Sequence, residues 1–233
     1  LQRLMFTFAR CQELRYISHL EIMRLLQRAM RRAGLPVVCT QGFNPQPRLS
    51  IAAPLPVGVE AENEPAEIYL ESPHLPEAFV QKMNIQLPRG FSINGAVEIS
   101  LESPPLMQVV EAALYVAFPH PALFSIPVES LQREVEEIRS SEELTFFREG
   151  KKGKKQINIR PYIYELKINL LNEGKAVLRM FLKTGPQGGA RPREVLQVLG
   201  EYGNFANQVY LFQLKRKGLF RYAPQRKWEM IGI

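Results

Sequence analysis

Apolar positions along this chain recur with two different periods, and the switches between them mark out the elements. Residues 4–8 read as a short apolar strand. From residue 18 the spacing lengthens: Ile22, Met23, Leu26, Ala29, Met30 and Ala33 recur at helical intervals. Ser18 and Glu21 form an S-x-x-E capping box that starts this helix, and Gly34 followed by Pro36 stops it. Leu49, Ile51, Ala53, Leu55, Val57 and Val59 then alternate with small or turn residues, the period of a half-buried strand. Pro54 and Pro56 lie inside that run and cannot donate to a ladder, so the strand lies at an edge or ends early. Glu60, Glu62 and Glu64 read as an exposed turn. Ala66, Ile68 and Leu70, alternating with Glu67, Tyr69 and Glu71, read as a third strand. Pro76 opens a helix to about Leu87, and Phe91, Ile93, Val97 and Ile99 make a fourth strand.

The order strand, helix, strand, strand, helix, strand is that of a ferredoxin-like βαββαβ sheet, whose second strand is an edge strand, as the prolines require. Residues 100–108, with Ser103-Pro-Pro, read as a linker. A similar order follows. Leu114, Val116 and Phe118 predict a strand, and Val128, Leu131, Val135 and Ile138 share a helix face. Residues 144–148 and 157–159 read as strands around a basic loop. Tyr164, Leu166, Ile168 and Leu170, then Ala176, Leu178, Met180 and Leu182, predict a hairpin turning at Asn172-Glu-Gly. A helix over 192–202 and a last strand over 209–215 close the chain. The expected fold class is α+β: two ferredoxin-like modules in tandem, residues 1–102 and 108–233, the second elaborated by an extra hairpin.

Composition narrows the function. The chain has 233 residues and a net charge of +7, unevenly spread. Residues 1–50 hold 8 basic and 2 acidic side chains, residues 51–105 hold 2 and 8, and residues 106–233 hold 20 and 13. Two separate positive regions favour nucleic acid or an acidic protein as partner. No aspartate is present, which excludes any site that needs one. Cys11 and Cys39 make no metal-ligand pattern and read as reduced thiols, so the expected location is cytoplasmic. No apolar run approaches the roughly 20 residues of a membrane span, so no membrane partner is expected.

Candidate chemistry is concentrated in few places. Arg24, Arg28, Arg31 and Arg32 fall opposite the apolar face of the first helix with no acid among them after Glu21. This is either a solvated face or a close-range site for a polyanion. In Gln41-Gly-Phe-Asn-Pro, Gln41 and Asn44 offer amide groups, and Phe43 either stacks on a base or plugs the core. On the second hairpin Lys167, Arg179, Phe181 and Lys183 share an outward face, suited to phosphates and a base or simply to solvent. Lys152 and Lys155 lie in the basic loop, with Arg160 beside it, where a phosphate backbone is attracted without sequence readout. The turn Thr184-Gly-Pro-Gln-Gly-Gly-Ala-Arg-Pro leads into a helix. It can present amides to an anion, with Arg191 beside them, or serve only as a tight connection. It lacks the Gly-Lys-Ser/Thr of a Walker A loop. His19, after the N-cap, is disfavoured as a cation and is either structural or a general base with Arg15 and Tyr16. No ribonucleoprotein strand of an RNA-recognition motif is present.

Several segments taken together carry a resemblance: Tyr16-Ile-Ser-His-Leu-Glu-Ile-Met-Arg, Arg31-Arg-Ala-Gly-Leu-Pro, Gln41-Gly-Phe-Asn-Pro-Gln-Pro-Arg-Leu-Ser, Pro54-Leu-Pro-Val-Gly-Val-Glu, Asn158-Ile-Arg-Pro-Tyr-Ile and Arg191-Pro-Arg-Glu-Val-Leu. The chain resembles the radical-SAM-linked protein family, a bacterial domain of unassigned function. The resemblance implies a domain fused to, or encoded beside, a radical-SAM protein with a cobalamin-type domain, often near ribosomal-protein and ribonuclease genes. Gln46 departs from the histidine of the family pattern. Radical-SAM chemistry needs three cysteines on an iron–sulfur cluster, and this chain has two. The resemblance implies that the cluster, S-adenosylmethionine and a cobalamin lie on the partner, and no cofactor is expected on this chain. The leading expectation is an accessory module presenting ribosomal or transfer RNA to that enzyme, with Arg24, Arg28, Arg48, Arg160, Lys167, Arg179 and Arg191 on phosphates and Phe43 and Phe181 stacking. The alternatives are a metal-independent RNA endonuclease using His19, by analogy of fold with the CRISPR RNA-processing nucleases, and a protein-interaction subunit without RNA contact.

Overall fold

The computed structural model describes residues 1–121, 128–150, 153–170, 176–203 and 206–233. The fold is mixed α/β, with mostly antiparallel sheet and several helices. Contacts divide it into two compact units: residues 1–111 with 216–233, and residues 112–215. The sequence places 216–233 with the second module; the contacts place that segment with the first.

In the first unit β1 (Gln2–Arg10) is central, flanked antiparallel by β4 (Phe91–Glu98) and β3 (Val59–Leu70). The short β2 (Leu49–Ile51) pairs with Ala66–Ile68 of β3. Two helices, α1 (His19–Arg32) and α2 (Pro76–Gln86), supply the apolar cover. Ile22, Leu26, Ala29 and Met30 of α1 are buried, as are Phe79 and Met83 of α2. Phe6 meets Phe79 at 5.4 Å between ring centroids, and Phe8 stacks on Phe91 at 4.9 Å. The start of α1 is set locally: Ser18 accepts from the Glu21 amide, and Glu21 accepts from the Ser18 amide at 2.6 Å. Its end is set by Gly34, which turns the chain with φ +65°, a conformation that favours glycine.

The run 49–59 ends early, at Ile51, as Pro54 and Pro56 require, and Val59 already belongs to β3. Two expectations change. Glu60, Glu62 and Glu64 are not an exposed turn but part of β3, and Glu64 is completely buried against Arg216. The carboxylate tolerates burial because Arg216 donates to both its oxygens, Nε at 2.7 Å, and also to the carbonyls of Ala53 and Pro54. Residues 100–108 are no loose linker. Arg3, itself buried on Glu67, donates to the carbonyls of Ser100, Ser103 and Pro104, and α3 (Leu106–Val109) follows.

The second unit holds β5 (Ala112–Pro119), α4 (Val128–Ser140), the two-stranded hairpin β6 (Thr145–Gly150) and β7 (Gly153–Asn158), β8 (Ile163–Leu170), β9 (Ala176–Lys183) and α5 (Pro192–Tyr202). Strand β9 runs antiparallel between β5 and β8. Leu166, Met180 and Leu182 point into the core as their alternation requires. The turn at Asn172-Glu-Gly lies outside the described residues, as do Lys151 and Lys152. The last strand expected over 209–215 is instead β10 (Phe212–Tyr222), with residues 212–215 in the second unit and 216–222 in the first. A further strand, β11 (Trp228–Ile231), pairs antiparallel with it.

Candidate nucleic-acid interface

The exposed side of α1 faces the segment that follows it. Val38 donates to the Tyr69 carbonyl and Arg48 to the Val38 carbonyl, so residues 37–48 leave the sheet edge and return to it. Cys39 and Pro47 bridge opposite each other at the neck. Beyond them Thr40 and Gln46 close the tip: the Thr40 amide donates to the Gln46 carbonyl at 2.8 Å, and the Gln46 amide to Thr40 Oγ1 at 3.0 Å. Gln46 Nε2 also donates to Asn44 Oδ1 at 3.1 Å, so the residue that departs from the family pattern braces the tip. Phe43 does not plug the core. It is fully exposed at the tip, with a relative accessibility of 112%. Gln41 and Asn44 are exposed beside it.

Between α1 and this neck lies an open groove of about 560 Å³. Its floor is Met30, Leu35 and Val37, its far wall Cys39 and Pro47, and its near wall Arg24, Gln27, Arg28 and Arg31. Among the described residues no carboxylate lines it, and Glu21, three residues before Arg24, acts on that guanidinium from outside the lining. Three guanidinium groups in one groove attract an anion far better than the same charges dispersed. Arg48, at the end of the loop, lies flat over Tyr69 at 3.8 Å from the ring centroid. The sequence placed Arg24, Arg28, Gln41, Phe43, Asn44 and Arg48 in the site, and the structure gathers them around one helix face and one loop. Arg31, read from the sequence as part of the basic face but not as a phosphate ligand, also lines the groove, and so does Gln27, which the sequence reading did not single out although 24, 27, 28 and 31 form a helical stripe. Arg32 does different work, donating to the side chain and carbonyl of Gln86 at the end of α2.

At the N-terminal end of α1 two loops meet. Buried Arg10 donates to the carbonyls of Ile17 and Pro56, each at 2.9 Å, and to that of Val59. Burial lowers its pKa to about 10, partly offset by Glu64. Gly58, at φ +80°, donates to the Arg15 carbonyl at 2.7 Å. Arg15 caps the Tyr16 ring, donates to its hydroxyl at 2.8 Å and reaches Glu60 at 4.0 Å. His19 is half-buried, its Nδ1 enclosed with no partner among the described residues, and desolvation pushes its pKa below the ordinary 6.5.

In the second unit the candidate cations are largely occupied. Lys167 and Arg179 both pair with Glu165, at 2.6 and 3.5 Å. Phe181 is half-buried against Tyr164, with ring centroids 5.9 Å apart, and Lys183 lies 5.8 Å from the Tyr162 ring. Arg160 spends its guanidinium on the carbonyls of Arg139 and Ser141, at the end of α4, and of Ile163, at the start of β8. The N-terminus of α5 already holds an anion of its own: Glu194 accepts from the Arg191 amide at 3.0 Å and from Arg148. Arg148 is held above its ordinary pKa chiefly by that hydrogen bond, and Arg191 lies 3.8 Å from the same carboxylate. Lys155 is exposed on β7, opposite Arg148 in the ladder. Among the described residues no group of three His, Cys, Asp or Glu could hold a metal, and no helix is long and apolar enough to cross a membrane.

The molecule is thus a mixed α/β protein with an arginine-rimmed groove beside its first helix. The chain belongs to the DUF2344 family, described as an uncharacterized protein conserved in bacteria, whose family model matches residues 3–192. A search of the curated proteins finds no match. Among solved structures the chain is similar to a chain in the crystal structure of a Cbf5-Nop10-Gar1 complex. The identity is 9% and the TM-score 0.49, covering 92% of this chain and 49% of that one. This chain therefore spans about half the length of that neighbour, and so distant a likeness carries no conclusion about fold or function.

Proposed function

We propose that this protein is a cytoplasmic RNA-binding accessory domain that presents ribosomal or transfer RNA to a partner radical-SAM enzyme. The observation that carries the RNA part is the groove: Arg24, Arg28 and Arg31 rim it without a carboxylate, and the loop forming its far wall holds Phe43 in solvent. Cations beside an exposed ring are the means by which unpaired RNA is held. The partner, with its S-adenosylmethionine and cobalamin, rests on the family resemblance, and the iron–sulfur cluster is assigned to it because this chain has two cysteines where the cluster needs three. The fold reading that goes with it is a ferredoxin-like first module supporting the groove on its first helix. Filter binding across a salt series tests the proposal. Three phosphate contacts to a single strand give a slope of about −2 in log K against log salt. Replacing Arg24, Arg28 and Arg31 together by Gln is expected to remove that much of the slope. Salt-insensitive affinity, or no binding, overturns the reading.

One observation favours a second reading, a metal-independent RNA endonuclease: burial lowers the His19 pKa, which favours the neutral imidazole a general base needs. RNA processing that survives His19→Ala ends it.

A further inference from the structure

The groove beside α1 is not only basic. Its apolar surface comes from Val37 and Pro47, both partly exposed, while Leu35 at 7% and Met30 at 1% exposed add little. A phosphate backbone alone has no use for such a surface, because arginines on an open helix face would serve it equally well. A flat heteroaromatic ring does, since burying its faces on aliphatic carbon removes apolar surface from water. Gln27 stands on the same wall, three residues after Arg24 and four before Arg31, and is the one uncharged amide in the lining. It offers both a donor and an acceptor, which match the edge of a base. The volume of about 560 Å³ is that of a small-ligand site, not of a duplex groove-reader. Phe43 lies four residues from Cys39 and from Pro47, so its backbone is within about 14 Å of the groove wall.

We infer that this groove is a pocket for one unpaired nucleotide, with the base against Val37 and Pro47, its edge on Gln27 and its phosphates on the arginines, while a neighbouring base stacks on Phe43. The inference rests on the RNA-binding reading and adds to it selectivity for single strands: a base held in a duplex cannot leave its stack to enter the groove without an energetic cost.

The test uses the full chain and a short RNA of mixed sequence with one internal 2-aminopurine, as a single strand and as the blunt duplex. The single strand is expected to bind at least about 10-fold tighter, with a change in 2-aminopurine emission. Phe43→Ala is expected to weaken single-strand binding by roughly 5- to 150-fold, the range for losing one stacked base. Phe43 is fully exposed, so the variant folds as the parent does, which circular dichroism checks. Gln27→Leu is expected to change which base is preferred while leaving the salt slope unchanged. Equal affinity for duplex and single strand, or an inert Phe43→Ala, overturns the nucleotide pocket and leaves the RNA-binding reading standing if the salt slope persists. No binding in any form overturns both.

Discussion

A half-buried imidazole at the first position of a helix meets two penalties when it takes a proton: lost hydration and the positive end of the helix dipole. His19 occupies that position, and burial lowers its pKa from 6.5. The unfolded chain therefore binds more protons than the folded one as pH drops below 6.5. The stability tied to a neutral His19 is present in full above 6.5 and is lost as pH falls through the folded value. A proton NMR titration of the His19 ring is expected to show a midpoint below 6.5, and His19→Gln to flatten the acid side of the stability profile. A midpoint at or above 6.5 contradicts the burial. The position of His19 was legible from Ser18 and Glu21 alone, since a capping box is a matter of four consecutive residues. Its enclosure was not legible, because capping fixes where a helix starts and not how far its first turn is buried.

At the scale of elements, the local signals carried far. The capping box fixed α1, Pro76 and Pro192 opened α2 and α5, and the alternation in 176–183 put Met180 and Leu182 inside. The Gly-rich turn before α5 shows where such signals mislead. Its glycines resemble a phosphate cradle, but a Cβ at Gly189 would lie 2.0 Å from the Lys183 carbonyl oxygen, and the helix N-terminus is taken by Glu194. Glycine is there so that two backbone segments can touch, and the anion is the protein's own. Gly189→Ala must push the turn off the end of β9, and overpacking of this kind costs about 1–3 kcal/mol. Urea unfolding is expected to show that loss, whereas Arg191→Ala leaves binding of inorganic phosphate unchanged. A Gly189→Ala variant as stable as the parent would mean that the turn yields freely.

Across the whole chain, the reading of the sequence stopped where partners are remote. Glu60, Glu62 and Glu64 look like a solvated turn because an acidic run has no local reason to be buried. The reason lies 152 positions away, in Arg216. That residue opens the C-terminal segment that the contacts assign to the first unit, and it joins Ala53 and Pro54 to the buried carboxylate. A fragment ending at Lys215 thus loses more than two strands, for it strands Glu64 inside without its ion-pair partner, and Arg10, whose charge also acts on Glu64, is committed to three carbonyls. Removing one partner of a buried pair costs about 3–5 kcal/mol. Arg216→Met alone is expected to cost about that much in urea unfolding. Adding Glu64→Gln to it is expected to recover part of the loss, because an amide is cheaper to bury than an unpaired carboxylate. Hydrogen exchange in the 1–215 fragment is expected to speed up across β1 and β3, beside the stranded carboxylate, more than in β8 and β9. If those first-unit strands exchange as slowly in the fragment as in the full chain, Arg216 does not hold the unit together, and the division of the chain at residue 111 with return at 216 has no energetic meaning.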